Sequence, residues 1–394
     1  MPRILRLSMN AVSFSKPRAV LLATFLAGLA PRAIRAENSL TYKYEGYDES
    51  GGRVSVQTRG AYLEKDLGTD MHLKLEGIID AIAGATPSGQ PAPAGSDQVV
   101  LTTLHERRKA WSADFSRQFS RINVAVGFAN SRESDYVSNG WSVNTLTDFN
   151  QKNTTLVAGI AGTDDDIKVF YQKPLAKKRG NDAILGLTQL LDPRTSVGFN
   201  LTWGRSNGYL SDPYKLIEKH VELFPGVVLP FDYGENRPDY REKWIGLFSL
   251  NRAFPEARGA LEASYRYYHD TFGTGAHTLD LAWFQRLGEK LILRPSFRFY
   301  EQTAARFYIY NLDNSPVIPT SGPPKTQGPF YSSDFRLSAM RTYTYGLKLV
   351  WKATDAVEID LAREQYDMRG RDGVTPQSAY ANARIVTLGA KYSW

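Results

Sequence analysis

Three residues of this chain have the types and spacing that chemistry needs: His269, Asp270 and His277. Two imidazoles and a carboxylate on either side of a short connection suit a divalent metal. An Asp beside a His also suits general-base work. The plainer alternative is a hydrogen-bonded cluster that ties a hairpin tip. Gly-Thr-Gly at 273–275 lies between them and reads as a turn, not as a nucleotide fingerprint. No Gly-rich phosphate loop, metal-spaced Cys/His set or nucleophile elbow occurs, and cysteine is absent. The residues assign no catalytic group, no resident metal and no cofactor.

A second candidate group is Ser211, Asp212, Pro213 and Tyr214, in a long connection at 207–238. Asp before Pro starts a turn, and the stretch cannot continue a strand. The connection also holds Pro225, Pro230 and Pro238 with Phe224, Phe231 and Tyr233. So long a loop without structure of its own is usually functional. Inward folding as a constriction is the expectation, and a cap over a mouth is the alternative.

A third group is ionic. Arg241, Lys243, Arg266, Arg294, Arg298, Lys348 and Lys391 are expected on one common face with Glu262, Glu301, Glu358, Asp360 and Glu364. Rings of fixed charge set ion preference in pores. Charges of both signs can instead pair and fill an interior.

The elements that must position these residues are strands. Alternating segments recur near 39–47, 53–64, 69–80, 103–116, 120–131, 137–149, 153–162, 183–191, 195–206, 239–252, 258–271, 276–287, 290–301, 338–352, 356–367 and 382–394. Each is about as long as a tilted strand must be to cross a bilayer. In the thirteenth, Leu291, Leu293, Phe297 and Phe299 oppose Arg294, Ser296, Arg298 and Tyr300. A basic residue on the lipid face at mid-bilayer costs about 2–4 kcal/mol, so the ionic face should line a lumen. Short connections at 65–68, 117–119, 150–152, 192–194, 255–257, 288–289 and 353–355 alternate with the others. The long ones, at 81–102, 163–182, 207–238, 302–337 and 368–381, all fall on one side. A sheet in lipid must close to pair its backbone, and a ring of this size can hold an aqueous channel.

The ends agree. From 386 to 394 apolar and aromatic residues alternate with others, closing on Tyr392 and Trp394. This resembles the terminal strand that the bacterial outer-membrane insertion machinery recognises. Arg3, Arg6, Lys16 and Arg18 precede an uncharged run at 19–30, and Ile34-Arg35-Ala36 follows. Residues 1–36 are expected to be a cleaved signal peptide, leaving 37–394 as the barrel. That segment holds six of the 48 basic residues and none of the 41 acids, so 42 against 41 remain and the net +7 falls to about +1. The basic excess therefore gives no reason to expect nucleic acid. No later stretch is apolar for the eighteen or so residues a membrane helix needs. The 22 Tyr fit interfacial girdles.

Several stretches carry a family resemblance: Asn207-Gly208-Tyr209-Leu210-Ser211-Asp212-Pro213-Tyr214-Lys215, Tyr265-Arg266-Tyr267-Tyr268-His269-Asp270-Thr271-Phe272-Gly273, Ala276-His277-Thr278, Arg286-Leu287-Gly288-Glu289 and the run 297–305. They resemble a bacterial family known as domain of unknown function 3570, over most of the mature chain and most closely between 196 and 310. The resemblance implies an exported outer-membrane barrel without assigned activity. Encoding of such members near thioredoxin-like and flavin-transfer proteins implies envelope redox chemistry as one setting.

The expected protein is all-β: a transmembrane antiparallel barrel of about sixteen strands in the bacterial outer membrane. It would meet outer-membrane lipid and the insertion machinery, and pass small solutes through a charged lumen. A docking barrel for an envelope lipoprotein or redox partner is a second reading, and a rim hydrolase or metal-binding protein a third.

Overall fold

The computed structural model describes residues 38–169, 174–313, 315–319 and 324–394. The expected signal peptide at 1–36 lies outside the described residues. The strands in chain order are β1 (Ser39–Glu49), β2 (Ser55–Leu67), β3 (Met71–Pro87), β4 (Leu101–Phe119), β5 (Ile122–Arg132), β6 (Tyr136–Phe149), β7 (Thr154–Ile167), β8 (Ala176–Asp192) and β9 (Thr195–Gly208). A hairpin of β10 (Leu216–Phe224) and β11 (Val227–Gly234) follows. Then come β12 (Tyr240–Phe254), β13 (Gly259–Asp270), β14 (Gly275–Leu287), β15 (Leu291–Gln302), β16 (Met340–Lys352), β17 (Val357–Gly370) and β18 (Asn382–Ser393).

All but β10 and β11 form one closed antiparallel barrel of sixteen strands. Neighbours in the ring are neighbours in sequence, except that β9 pairs with β12 and β1 with β18. The closing pair runs from Ser39↔Ser393 to Glu49↔Ala383. Closure leaves no barrel edge, which hydrocarbon demands. At the turn end the chain reverses in a few residues; Gly288 sits at φ 65°, where a side chain would strain the β14–β15 turn.

Alternation sorts the side chains. Outward positions carry Leu185, Phe199, Phe248, Tyr345, Leu347, Leu361 and Leu388, each exposed. Most of their inward neighbours are smaller or ionic. A soluble sandwich would hide the apolar set; here it makes a continuous outer belt on a scale that marks lipid contact. At the turn end the belt finishes in aromatics: Tyr392 and Trp394 stack with centroids 5.7 Å apart. Arg117 lies over Phe119 at 5.0 Å and Arg121 over Phe149 at 5.3 Å. Amphipathic rings with cations beside them suit a headgroup boundary.

Two expectations need correction. β7 and β8 run on to Ile167 and back from Ala176, so their connection is 168–175 and not 163–182. β3 and β4 likewise outrun the expected strands, leaving a connection of 88–100. The β7–β8 extension is mostly charged and the β3 extension is mostly small residues, so the alternation of greasy and polar faces fades where pairing continues. Charge holds the β7–β8 extension: the register sets Asp164 opposite Arg179, Asp165 opposite Lys178 and Asp166 opposite Lys177. Asp165 and Lys178 meet at 2.5 Å with both side chains buried. Lys178→Met is expected to cost about 3–5 kcal/mol, because it strands a buried carboxylate. Arg179→Met, at an exposed pair, should cost under about 1 kcal/mol. Hydrogen exchange across 160–182 separates the two: equal protection loss would contradict this account.

Candidate functional site: lumen wall and loop layer

All of the sequence-derived lumen residues except Glu301 fall on inward positions, and most are paired. Lys348 meets Asp360 at 2.7 Å, Lys243 meets Asp182 at 3.0 Å, Arg298 meets Asp280 at 3.2 Å and Arg294 meets Glu262 at 3.4 Å. Arg241 binds Asp270 through Nε and Nη2. Arg108 and Asp80, which sequence reasoning missed, pair at 2.5 Å. Each pair joins strands that are adjacent or next but one in the ring, so the side chains lie along the wall. Glycines make room for this. A Cβ on Gly204 would collide with Asp182 and Lys243, and one on Gly389 with Asp360. Glu358 stands opposite Lys391 in register, near the turn end, and Glu364 stands opposite Gly346. Arg266 has no ion pair among the described residues; its Nη2 donates to Thr278 Oγ1 at 3.4 Å.

Asp182 falls in the expected connection 163–182, where face parity does not apply, and lies on β8 in the structure. Asp280 shares the inward parity of Thr278, so alternation alone could have found it. Glu301 is a correction: it shares the outward parity of Phe297 and Phe299, and it pairs with Arg341 at 3.2 Å and with Arg371.

One sector of the wall is nearly bare. Inward positions on β5 to β9 include Ala125, Gly127, Ala129, Gly140, Ser142, Gly159, Ala161, Gly186 and Gly198. Longer polar residues there lie flat: Asn144 covers Gly159 and Asn200 covers Gly186.

The His269, Asp270 and His277 trio does not assemble. Consecutive residues on a strand point to opposite faces. Asp270 is buried and inward, held by Arg241, by the Tyr268 hydroxyl at 2.6 Å and by the Thr274 amide at 3.0 Å. His269 and His277 are exposed on the outward side. His277 Nδ1 meets the Tyr265 hydroxyl at 2.6 Å and its ring leans on Tyr267. The trio is thus a structural rim with its carboxylate on the wrong face for either imidazole. No group of three metal-ligating side chains occurs among the described residues.

The connection after β9 is not structureless, as the sequence had suggested. It carries the β10–β11 hairpin and packs with three other loops over the long-loop mouth. Ser211 and Asp212 are buried there, while Tyr214 is exposed and its hydroxyl reaches Asp135 of the β5–β6 connection. Pro213 lies between them in the turn. The loops meet across the mouth: Leu216 N donates to Ser88 O at 2.9 Å, and Asn236 and Tyr331 exchange backbone bonds at 3.0 and 2.9 Å. Val99 N donates to Ser378 Oγ at 3.1 Å, and Arg53 Nη1 to Ser378 O at 2.7 Å.

Charges lock this layer. Arg336 bridges Asp212 at 2.7 Å and Asp334, and Arg237 bridges Asp334 at 2.7 Å and Glu235 at 2.7 Å. Ser332 Oγ donates to Glu235 at 2.5 Å. The Lys215 ammonium reaches the Pro87 carbonyl, tying this loop to the end of β3. Burial works to raise the Asp334 carboxyl, but Arg336 and Arg237 outweigh it and hold it below the ordinary range. Burial pushes Glu235 up by more than Arg237 pulls it down. A depressed carboxyl adds stability above its unfolded value of about 4 and loses it as pH falls toward the folded value. A raised one gains over mild acidification. The layer should therefore resist pepsin at pH 5 and loosen progressively below about pH 4. Cleavage in 209–239 that begins already at pH 5 would contradict this.

Among solved structures the chain is similar to a bacterial polysaccharide outer membrane secretin, with 10% identity, 92% of this chain and 100% of that chain covered, and a TM-score of 0.46. It is similar to OccK2 (OpdF) of Pseudomonas aeruginosa in complex with glucuronate, with 10% identity, 91% and 98% coverage and a TM-score of 0.42. It is also similar to CdiB from Acinetobacter baumannii, with 6% identity, 92% and 61% coverage and a TM-score of 0.49. No curated protein matches the chain in sequence. The profile of one family matches residues 21–179 and 170–386, and with that span the chain belongs to the family described as Protein of unknown function (DUF3570).

Proposed function

We propose that the protein resides in the bacterial outer membrane and passes small hydrophilic solutes through its lumen, with the loop layer as a gate on the outer side. The observation that carries this reading is the lie of the ion pairs. They run along the wall, and on β5 to β9 the wall is mostly Gly, Ala, Ser and Asn, which leaves width for solute. Paired charges of both signs offer hydrogen bonds without a strong preference for one ion sign. The apolar belt supports the membrane setting, and the loop asymmetry supports an outward loop layer. Tyr392 and Trp394 would present the strand end to the insertion machinery.

Planar bilayers test this. Purified, heat-modifiable barrel should give discrete conductance steps with weak ion selectivity. Asn200→Trp, which sets an indole into the bare sector, should lower the step by about half, since lining bulk sets conductance. Silent bilayers with correctly folded protein, and also with the loops loosened, would reject the channel.

The roof over the mouth favours one further reading, a docking barrel for an envelope lipoprotein or redox partner. Recovery of such a companion with a non-conducting barrel would support it.

A further inference from the structure

At the loop-side edge of the apolar belt, several strands carry charged residues on outward positions. Most of these charges are neutralised within the protein. Asp164 meets Arg179 at 2.8 Å and Asp166 meets Lys177 on β7–β8. Glu301 meets Arg341 at 3.2 Å on β15–β16, and Asp367 meets Arg369 at 2.6 Å on β17.

The β2 to β5 sector differs. Arg59, Arg107, Lys109 and Arg132 are exposed on outward positions. The register sets Arg59 opposite Ile79, Ile79 opposite Lys109, and Lys109 opposite Arg132, which places three cations on one row. Arg107 stands one step above, opposite Ala81. Like charges directly opposite one another destabilise a sheet unless something screens them. None of the four enters an ion pair among the described residues. The one carboxylate on the outward positions of β1 to β5 is Asp48; it accepts from Ser55 Oγ at 2.6 Å and stands opposite Arg384. Trp111 at 53% exposure and Phe128 at 57% lie one and two outward steps below the cations, and Ile79 at 40% stands within their row, so greasy surface and positive charge meet at one edge.

We propose that this sector binds the phosphates of a phosphorylated glycolipid in the outer leaflet, whose acyl chains lie on Trp111, Phe128 and Ile79. The proposal rests on the outer-membrane reading above. A water-borne anion would use only the cations, whereas a lipid uses both halves of the surface. Neighbouring strands stand about 5 Å apart, so the row from Arg59 to Arg132 spans roughly 14 Å, enough for more than one phosphate. Each basic residue at headgroup level adds about fivefold to anionic-lipid affinity, and salt weakens it.

The test is lipid retention by native mass spectrometry, with protein loaded with lipid A, with dephosphorylated lipid A, or with inorganic phosphate. The triple variant Arg59→Gln, Lys109→Gln, Arg132→Gln should retain lipid A about a hundredfold less well at low salt. A double Lys177→Gln, Arg179→Gln variant on the paired sector should match the parent. Equal retention of dephosphorylated lipid A, displacement of lipid A by millimolar inorganic phosphate, or an unaffected triple variant would each overturn the proposal. Vesicle flotation is run beside it. Normal flotation with phosphate-independent retention rejects the lipid site alone, whereas failure of the parent to float rejects the membrane reading itself.

Discussion

Arg336→Met is expected to raise mean conductance severalfold and to expose 209–239 and 324–339 to protease, while the barrel itself stays heat-modifiable. Arg336 is the shared cation of Asp212 and Asp334, whose side chains are 5% and 1% exposed. Removing it leaves two buried carboxylates with Arg237 as the main neighbour of Asp334. Taking one partner from a buried ionic cluster costs about 3–5 kcal/mol. The cost falls on the loop layer, because the strands beneath keep every ladder hydrogen bond. Local opening of a unit held by that much should become frequent. Asp212→Asn with Arg336→Met restores charge balance at Asp212 and should recover part of the closure, as coupled neighbours do. Unchanged conductance together with unchanged loop cleavage would show that the network does not gate the mouth.

The barrel was legible because lipid imposes a period. Residues such as Leu347 and Leu349 alternate with Lys348 only where one face is greasy and the other ionic, so all sixteen barrel strands could be placed. That period ends where lipid ends. At Asp164–Asp166 and Lys177–Arg179 every residue is polar, and strand continuation is set by cross-strand charge, which a single segment does not reveal. The same limit hid the β10–β11 hairpin. His220 through Phe231 has no clean alternation, and the two strands form a small sheet of their own outside the barrel.

Site residues divided along the same line. Arg298, Lys348 and Asp360 can be assigned to the inner face by parity alone, but the pairing of Arg298 with Asp280 and of Lys348 with Asp360 follows only from how the strands align. His269 and Asp270 looked like a pair because they are adjacent in sequence, and adjacency on a strand means opposite faces. Arg237, Asp334 and Arg336 carried no sequence signal. They lie in two connections about a hundred residues apart, and only loop packing brings them together.

Leu361→Arg with Leu388→Arg is expected to reduce the assembled barrel by tenfold or more, read as the heat-modifiable fraction in membranes. Leu361 and Leu388 are cross-strand partners on β17 and β18, exposed by 52% and 50%, with Leu349 and Tyr44 on either side in the row. In water, adding charge at such exposed positions would be harmless or would improve solubility. In lipid each arginine near the midplane costs about 2–4 kcal/mol, so the pair removes some 4–8 kcal/mol from a barrel whose closing strand is one of the two altered. The sign of the effect is therefore opposite for the two solvents. A matched pair on the inner face, Thr387→Arg with Ala362→Arg, would crowd the lumen but should still float with membranes. If the Leu361/Leu388 variant were recovered folded without detergent, the apolar belt would have to be explained by something other than lipid.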